Sequence, residues 1–256
     1  MSLPDFIIGG APKSGTTSLF NYLSQHPEVY TPDLKEPHFF VREERKNIGC
    51  SRDVYESLFE EKKDYQISGE GSTSYLENSE TVSKKLKNII PNVKLIFLLR
   101  DPIKRSYSDY WFHLMRGEIP VEKSFSDCVE EKHWIFNASH YPSNIKNYYK
   151  NIGKKNILFI TTEELNYNTD GVLKKVCLHI GIKDSFNFDA KDHHNVTKYP
   201  RSVGLVRMFG HLAPGLLSWS AQSDWLRPVR SQILFSAQAR KPKMNTSVRE
   251  RLLEQF

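Results

Sequence analysis

Residues 6–19 read FIIGGAPKSGTTSL. An apolar run (Phe6, Ile7, Ile8) reaches a small-residue turn, Gly9-Gly10-Ala11-Pro12. It then passes through Lys13-Ser14-Gly15-Thr16-Thr17-Ser18 into a segment with helical apolar spacing at Leu19, Tyr22 and Leu23. Strand, glycine-rich turn, lysine, hydroxyls and helix start are what a phosphate needs. The turn supplies inward backbone N–H groups, the helix N-terminus a partial positive charge, and the lysine a full one. The order departs from the triphosphate loop G-x-x-x-x-G-K-[ST]. Lys13 precedes Gly15, and Thr16-Thr17 stand where Lys-Ser/Thr would be.

The chain of 256 residues is long enough to bury a substantial core in one α/β domain. Thirty-six Lys and Arg against 30 Asp and Glu give a net charge of +6. That excess suits an anionic ligand and is also ordinary in proteins with no charged partner. No basic block of the kind found in nucleic-acid tails occurs, and Lys84-Lys85-Leu86-Lys87 reads as a solvated helix face. Cys50, Cys128 and Cys177 are scattered and odd in number, against a disulfide framework or a C-x-x-C metal site. Met1-Ser2-Leu3-Pro4-Asp5 leads at once into a core strand without a signal peptide. No stretch reaches the roughly 20 apolar residues of a membrane span. These features predict a cytoplasmic protein with no nucleic-acid partner and no transmembrane segment, and leave the oligomeric state open.

Short apolar or β-branched runs predict strands at 6–9, 66–69, 93–99 and 156–161. Helical spacing falls at 16–25, 54–59, 79–90, 103–116, 124–131, 143–151 and 170–180, with Pro91 and Gly181 as stops. Apolar strands alternating with helices predict an α/β fold of the P-loop type: a three-layer sandwich with a central parallel sheet flanked by helices. A single domain over residues 1–256 is expected. Its C-terminal part, 205–256, would be a helical lid or cover, with Leu205 to Trp219 as an apolar segment broken by Pro214-Gly215. The chain ends on a further helical pattern (Val248, Leu252, Leu253, Phe256), as an excerpt of a longer protein would.

A second informative stretch is LIFLLRDPIKRSYSDYW, residues 95–111. A buried strand ends in Arg100-Asp101-Pro102, and a helix then carries Lys104, Arg105, Ser106 and Ser108. Ligands of open α/β sheets bind at the carboxyl ends of strands, so Arg100 stands where a ligand belongs. Its guanidinium can grip a phosphate at two points, and Ser108, about two helical turns on, can donate from the same side. Taken alone, Arg100-Asp101 reads equally as a strand-end ion pair and Ser108 as a surface hydroxyl. Beside the first loop, the phosphate reading prevails. Two such sites on one sheet suggest a nucleotide with phosphoryl-like groups at both ends.

PKSGTTSL followed by LLRDPIKRSYSDYW resembles the sulfotransferase superfamily, whose donor is 3′-phosphoadenosine 5′-phosphosulfate. The resemblance implies that the first motif holds the 5′-phosphosulfate, with Lys13 as the loop lysine, and that Arg100 and Ser108 hold the 3′-phosphate. Adenosine 3′,5′-bisphosphate would be the leaving product, and no metal is required. Lys35-Glu36-Pro37-His38-Phe39-Phe40 is similar to the K-E-x-x-[FY]-F segment of the heparan-sulfate-type and bacterial carbohydrate or small-molecule branch, whose glutamate is the proposed base. Gly69-Glu70-Gly71-Ser72-Thr73-Ser74-Tyr75 resembles that branch's substrate segment, which implies acceptor contacts from Lys35, Glu36, His38, Glu70, Ser72 and Tyr75. Heparan-sulfate members carry a lysine where this chain has Gly71, which points away from a long sulfated polysaccharide as acceptor. The branch's C-terminal Lys-Gly-Arg donor loop has Lys198-Tyr199-Pro200-Arg201-Ser202 as its stand-in, with Lys198 and Arg201 as donor contacts.

Sulfuryl transfer needs in-line geometry, charge stabilisation on the leaving group and a base for the nucleophile. The reading assigns the first charge to Lys13, the 5′-phosphate to the loop amides and Thr hydroxyls, and the proton to Glu36. His38 competes for the base role, because histidine titrates near neutral pH. On an extended segment Glu36 and His38 would point the same way. The bland alternatives are an ion pair of Glu36 with Lys35 and a polar pocket histidine. His193-His194, with no third ligand at suitable spacing, reads as polar loop rather than metal site. The resemblance implies a carbohydrate or small-molecule acceptor. The rival readings are a kinase-like phosphotransferase using ATP and a non-catalytic nucleotide-binding module.

Overall fold

The computed structural model describes residues 3–42, 51–190, 199–202, 204, 235–236, 239 and 241–256. They form two compact units, one of residues 1–100 and 140–195, the other of residues 101–139 and 196–256.

The first unit is built on a parallel sheet. Its strands are β1 (Phe6–Gly10), β2 (Val29–Tyr30), β3 (Ile67–Gly71), β4 (Lys94–Leu99) and β5 (Ile157–Thr161), in the order β2-β3-β1-β4-β5. Phe6 lies opposite Gly69 on one side and Lys94 on the other, and every pairing is parallel. The chain leaves β1 toward β2 on one side and leaves β4 toward β5 on the other. The neighbours β1 and β4 therefore flank the switch point, the place where open α/β sheets bind their ligands.

Alternation along each strand divides the core between two faces. Phe6, Ile8, Ile96, Leu98 and Ile160 pack with α1 (Thr16–Leu23), α8 (Thr162–Tyr167) and α9 (Thr169–Ile180). Ile7, Leu95 and Phe97 pack with α2 (Phe39–Arg42), α3 (Arg52–Ser57), α4 (Ser79–Ile89) and α7 (Tyr141–Asn151). This is the expected three-layer α/β sandwich. The expected strands and helices lie within about two residues of their observed bounds, with Gly181 closing α9 at φ +81°. β2, α2 and α8 are additional elements that no sequence pattern announced.

The second unit packs α5 (Pro102–Arg116), α6 (Phe125–Glu130) and a C-terminal helix (Thr246–Leu253) around Tyr110, Trp111, Phe125, Val248 and Leu252. Asp101 caps α5 by accepting the Lys104 N–H at 2.7 Å, and Gly117 ends it at φ +75°. The C-terminal helix follows the apolar pattern expected of Val248 and Leu252, whereas Leu253 is exposed. The apolar segment 205–219 lies outside the described residues.

Packing at β3 is tight enough to exclude a single methyl group. A Cβ on Gly69 would stand 2.1 Å from the Phe6 ring, which is fully buried. Gly69→Ala is therefore expected to destabilise the protein by about 1–3 kcal/mol, the range for overpacking a filled core. A denaturant midpoint unchanged from wild type would contradict the packing described here.

Candidate functional site

The loop after β1 is fastened from its outer side. The Ala11 N–H donates to the Leu98 carbonyl at 2.8 Å, so the chain leaves the sheet still bonded to β4. Arg100, at the end of β4, donates from Nη1 to the Lys13 carbonyl at 2.9 Å. The Thr162 hydroxyl lies 2.9 Å from the Ser14 carbonyl and 3.1 Å from that of Leu99. A trans peptide sets its N–H opposite its C=O. With the carbonyls of Lys13 and Ser14 turned toward Arg100 and Thr162, the amides of Ser14 and Gly15 face the other way.

Gly15, at φ +93°, then starts α1 with no side-chain cap and no acidic residue in the first turn. That helix N-terminus keeps its partial positive charge for an anion. Ser14 is fully buried and its Oγ has no hydrogen-bond partner, a polar atom waiting for one inside the loop. Lys13 stands at φ +63°, a left-handed backbone that few non-glycine residues adopt. Thr16 is buried, and Thr17 and Ser18 are half-buried beside it. Uncapped amides, an orphan hydroxyl and a lysine fit a phosphate or sulfate group.

The second cluster hangs on this loop through one lysine. Lys35 Nζ donates to Thr17 Oγ1 at 2.8 Å and to Glu36 Oε1 at 3.1 Å. His38 Nε2 lies 3.3 Å from Glu36 Oε2, and Thr73 Oγ1 donates to the same oxygen at 3.3 Å. Ser74 Oγ sits 2.6 Å from His38 Nδ1 and fixes the ring. Burial alone would raise the Glu36 carboxyl, but the His38 hydrogen bond and the Lys35 ammonium outweigh it and bring its pKa down to about 2. The ion pair with Lys35 that the sequence offered as the bland alternative is thus present, and the same lysine also reaches Thr17 of the loop after β1.

The segment is not extended, which corrects the sequence-based expectation. Glu36 stands at φ +65° and His38 at φ +54°. A left-handed turn, not strand alternation, brings their side chains together. Such positions cost roughly 1–3 kcal/mol each and persist only where the surroundings over-determine them. Among the described residues, four non-glycine positions have positive φ; Lys13, Glu36 and His38 are three of them. Backbone strain is concentrated on the candidate site.

Glu70 and its neighbours lie behind that turn. Glu70 is fully buried and accepts hydrogen bonds from Ser72 Oγ at 2.6 Å, Tyr55 OH at 2.7 Å and Tyr75 OH at 2.9 Å. Burial pushes its carboxyl up, and the three hydroxyls only partly offset this. Ser72 and Tyr75 are buried with it, so all three candidate acceptor contacts sit beneath the turn rather than at an open surface. Thr73, Ser74, Tyr55 and Thr162 carry no sequence-based role, and Thr17, read from sequence as a phosphate contact, also accepts from Lys35. The hydroxyl run 72–74 was the available signal for two of them, and Tyr55 and Thr162 carried none.

In the second unit, Ser108 is buried within α5 rather than being a surface hydroxyl, and Arg201 is exposed. Lys198, His193, His194 and Cys50 lie outside the described residues. Cys128 and Cys177 are free thiols, and burial pushes both up to about 11. Among the described residues no helix is long and apolar enough to cross a membrane, and no three His, Cys, Asp or Glu side chains converge to hold a metal.

A parallel sheet with an anion loop at its switch point, and a lysine-paired carboxylate beside that loop, defines a nucleotide-type group-transfer fold. Residues 3–203 match the sulfotransferase domain family, and the chain belongs to it. It is 33% identical over 136 residues to the membrane-associated sulfotransferase kil1 of Dictyostelium discoideum, covering 52% of this chain and 28% of that protein. It is 29% identical over 188 residues to human heparan sulfate glucosamine 3-O-sulfotransferase 3B1, covering 71% of this chain and 47% of that one. The chain spans less than half the length of these two curated relatives. Among solved structures, a sulfotransferase from Alicyclobacillus acidocaldarius superposes with a TM-score of 0.67 at 28% identity, covering 76% of this chain and 87% of that one.

Lys35 and His38 are what hold Glu36 below the ordinary carboxylate range. Lys35→Met keeps the stem and removes the charge, so the Glu36 titration is expected to move upward toward 4.5. Carboxyl ¹³C NMR of the two proteins checks this; an unmoved or lowered titration would refute the electrostatic account.

Proposed function

We propose that the protein is a sulfotransferase that moves a sulfuryl group from 3′-phosphoadenosine 5′-phosphosulfate to a hydroxyl or amine of a carbohydrate or small-molecule acceptor. The observation that carries this reading is the bridge made by Lys35, which holds a loop hydroxyl, Thr17, and the candidate base, Glu36, at 2.8 and 3.1 Å. Anion site and proton acceptor are then neighbours, as an in-line displacement requires. The family match runs through residues of both compact units, which supports reading them as parts of one domain.

In this reading the amides of Ser14 to Thr17 and the hydroxyls of Ser14, Thr16, Thr17 and Ser18 hold the 5′-phosphate. Lys13 neutralises charge that grows on the bridging oxygen as the S–O bond breaks. Arg100 holds the 3′-phosphate; the resemblance in sequence adds Ser108, Lys198 and Arg201 as further donor contacts. Glu36 takes the acceptor's proton. A carboxylate with a pKa of about 2 is a weak base, but it is ionised at every working pH. In a loose transition state, like that of phosphoryl transfer, the nucleophile's bond is little advanced, and a well-placed weak base suffices. His38 orients that carboxylate.

For the acceptor, the carbohydrate class is supported by the heparan-sulfate-type relatives, and an uncharged or weakly charged one by Gly71. A Cβ there would stand 3.2 Å from the Phe20 ring and 3.8 Å from Lys35 Cε. A side chain at position 71 would fit only with a small shift of Phe20, and the Lys35 charge is engaged with Glu36 inside the site rather than offered to a polyanion.

Calorimetric titration is expected to give tight binding of adenosine 3′,5′-bisphosphate and weak binding of ATP with magnesium. Binding that requires the triphosphate, with no response to the bisphosphate, would overturn the donor assignment in favour of a kinase-like enzyme. With labelled donor and a panel of alcohols, amines and glycans, Lys13→Ala is expected to slow transfer about 10²–10³-fold. Glu36→Gln is expected to slow it about 10²–10⁴-fold while leaving bisphosphate affinity in place. Full activity in either variant would refute its role.

A further inference from the structure

The proposed reaction makes no use of Glu70, a fully buried carboxylate near the end of β3. Its partners are hydroxyls: Ser72 on Oε2, and Tyr55 and Tyr75 on Oε1. Two of these hydroxyls also accept backbone amides, one from the left-handed turn and one from the start of α2. Ser72 Oγ takes the His38 N–H at 3.0 Å, and Tyr75 OH takes the Phe40 N–H at 3.4 Å. A hydroxyl has one proton and two lone pairs. An ionised carboxylate only accepts, so it draws the protons of Ser72 and Tyr75 toward itself and leaves their lone pairs to the amides. The polarity of both relays is set from Glu70.

We propose that Glu70 is a positioning residue for sulfuryl transfer: acting through Ser72 and Tyr75, its carboxylate locks the turn that presents Glu36 and His38. The inference rests on the reading of Glu36 as base and reassigns Glu70 from acceptor contact to support of that base. The turn needs such support because both Glu36 and His38 hold positive φ. Hydroxyl networks of this kind are stiff when every member is satisfied and lose their direction when one is reversed. A glutamine at position 70 would turn an amide NH₂ toward hydroxyls that now donate, and one relay would have to flip.

Tyr55 provides the internal control. Tyr55→Phe removes a Glu70 partner but neither hydroxyl that accepts a turn amide, and it keeps the ring that stacks on Phe39 at 4.2 Å. Glu70→Gln, Ser72→Ala and Tyr55→Phe are compared with wild type by bisphosphate calorimetry and by transfer to the best acceptor of the panel, with hydrolysis to water as the acceptor-free rate. Glu70→Gln and Ser72→Ala are expected to lower kcat by about tenfold or more with bisphosphate Kd within about twofold, and Tyr55→Phe to change neither by more than about threefold. On a Glu36→Gln background, Glu70→Gln should change the residual rate by less than about twofold, because residues acting through one another are not additive.

Equal losses in Tyr55→Phe and Ser72→Ala, or an undiminished Glu70→Gln effect on the Glu36→Gln background, would overturn the proposal in favour of a general structural role. If Glu70→Gln does not fold, Ser72→Ala carries the same test. Amide hydrogen exchange separates this proposal from the donor reading: Ser72→Ala should speed exchange at His38, and Glu70→Gln at His38 or Phe40, whether or not the bisphosphate binds. Unchanged protection there would overturn it, whereas failure of the wild type to bind the bisphosphate would overturn only the sulfuryl-transfer reading.

Discussion

The hydrogen bond from the Ala11 amide to the Leu98 carbonyl ties the first residue beyond β1 to the neighbouring strand, and the geometry of the loop that follows descends from it. On the opposite side the Leu76 amide donates to the Gly9 carbonyl at 2.9 Å, so the strand end is held from both flanks. Neither glycine there has room for a side chain. A Cβ on Gly9 would meet the Phe97 ring at 2.4 Å, and one on Gly10 the Thr73 carbonyl at 2.8 Å. The close approach lets the loop start from a fixed point and direction. From that point Arg100 and Thr162 take the loop carbonyls outward, and the amides turn to the side where α1 begins uncapped.

Most of the first unit could be read from the chain because parallel strands buried on both faces are continuous apolar runs. KLIFLL at 94–99 and ILFIT at 157–161 have no other plausible state. The elements that escaped notice are those whose formation is not local. β2 is only two residues long and exists because Val29 and Tyr30 pair with Ile67 and Ser68. α8 follows β5 without an intervening turn, its start marked by Thr161 accepting the Glu164 amide at 3.0 Å. The turn at 35–38 is not legible because left-handed glutamate and histidine have no signature in composition, and the hydroxyls that bond them, Ser72, Thr73 and Ser74, come from another part of the chain. For the same reason the motif residues Lys13, Lys35, Glu36, His38 and Arg100 were legible, whereas the partners that orient them were not.

Two carboxylates close to one another in the fold have been driven in opposite directions, and the difference follows from their partners. Glu36 is partly exposed and faces an ammonium and an imidazole, so it stays ionised. Glu70 is fully buried and faces only hydroxyls among its hydrogen-bond partners, so burial dominates and its carboxyl rises. Environments that push titratable groups apart commonly divide their labour. Here the carboxyl held low sits next to the loop after β1, and the raised one lies beneath the turn that carries it, accepting from all three of its hydroxyl partners.

A cation in place of the hydroxyls would relieve the burial cost at Glu70, yet it would not serve the turn. An ammonium only donates, so it could not accept the amides of His38 and Phe40. Hydroxyls can donate to a carboxylate and accept from an amide in the same instant. The selection of Ser72 and Tyr75 over a lysine beneath the turn follows from that double capacity. The cations stand outside that network: Lys35 bonds Thr17 and Glu36, and Arg100 bonds the Lys13 carbonyl.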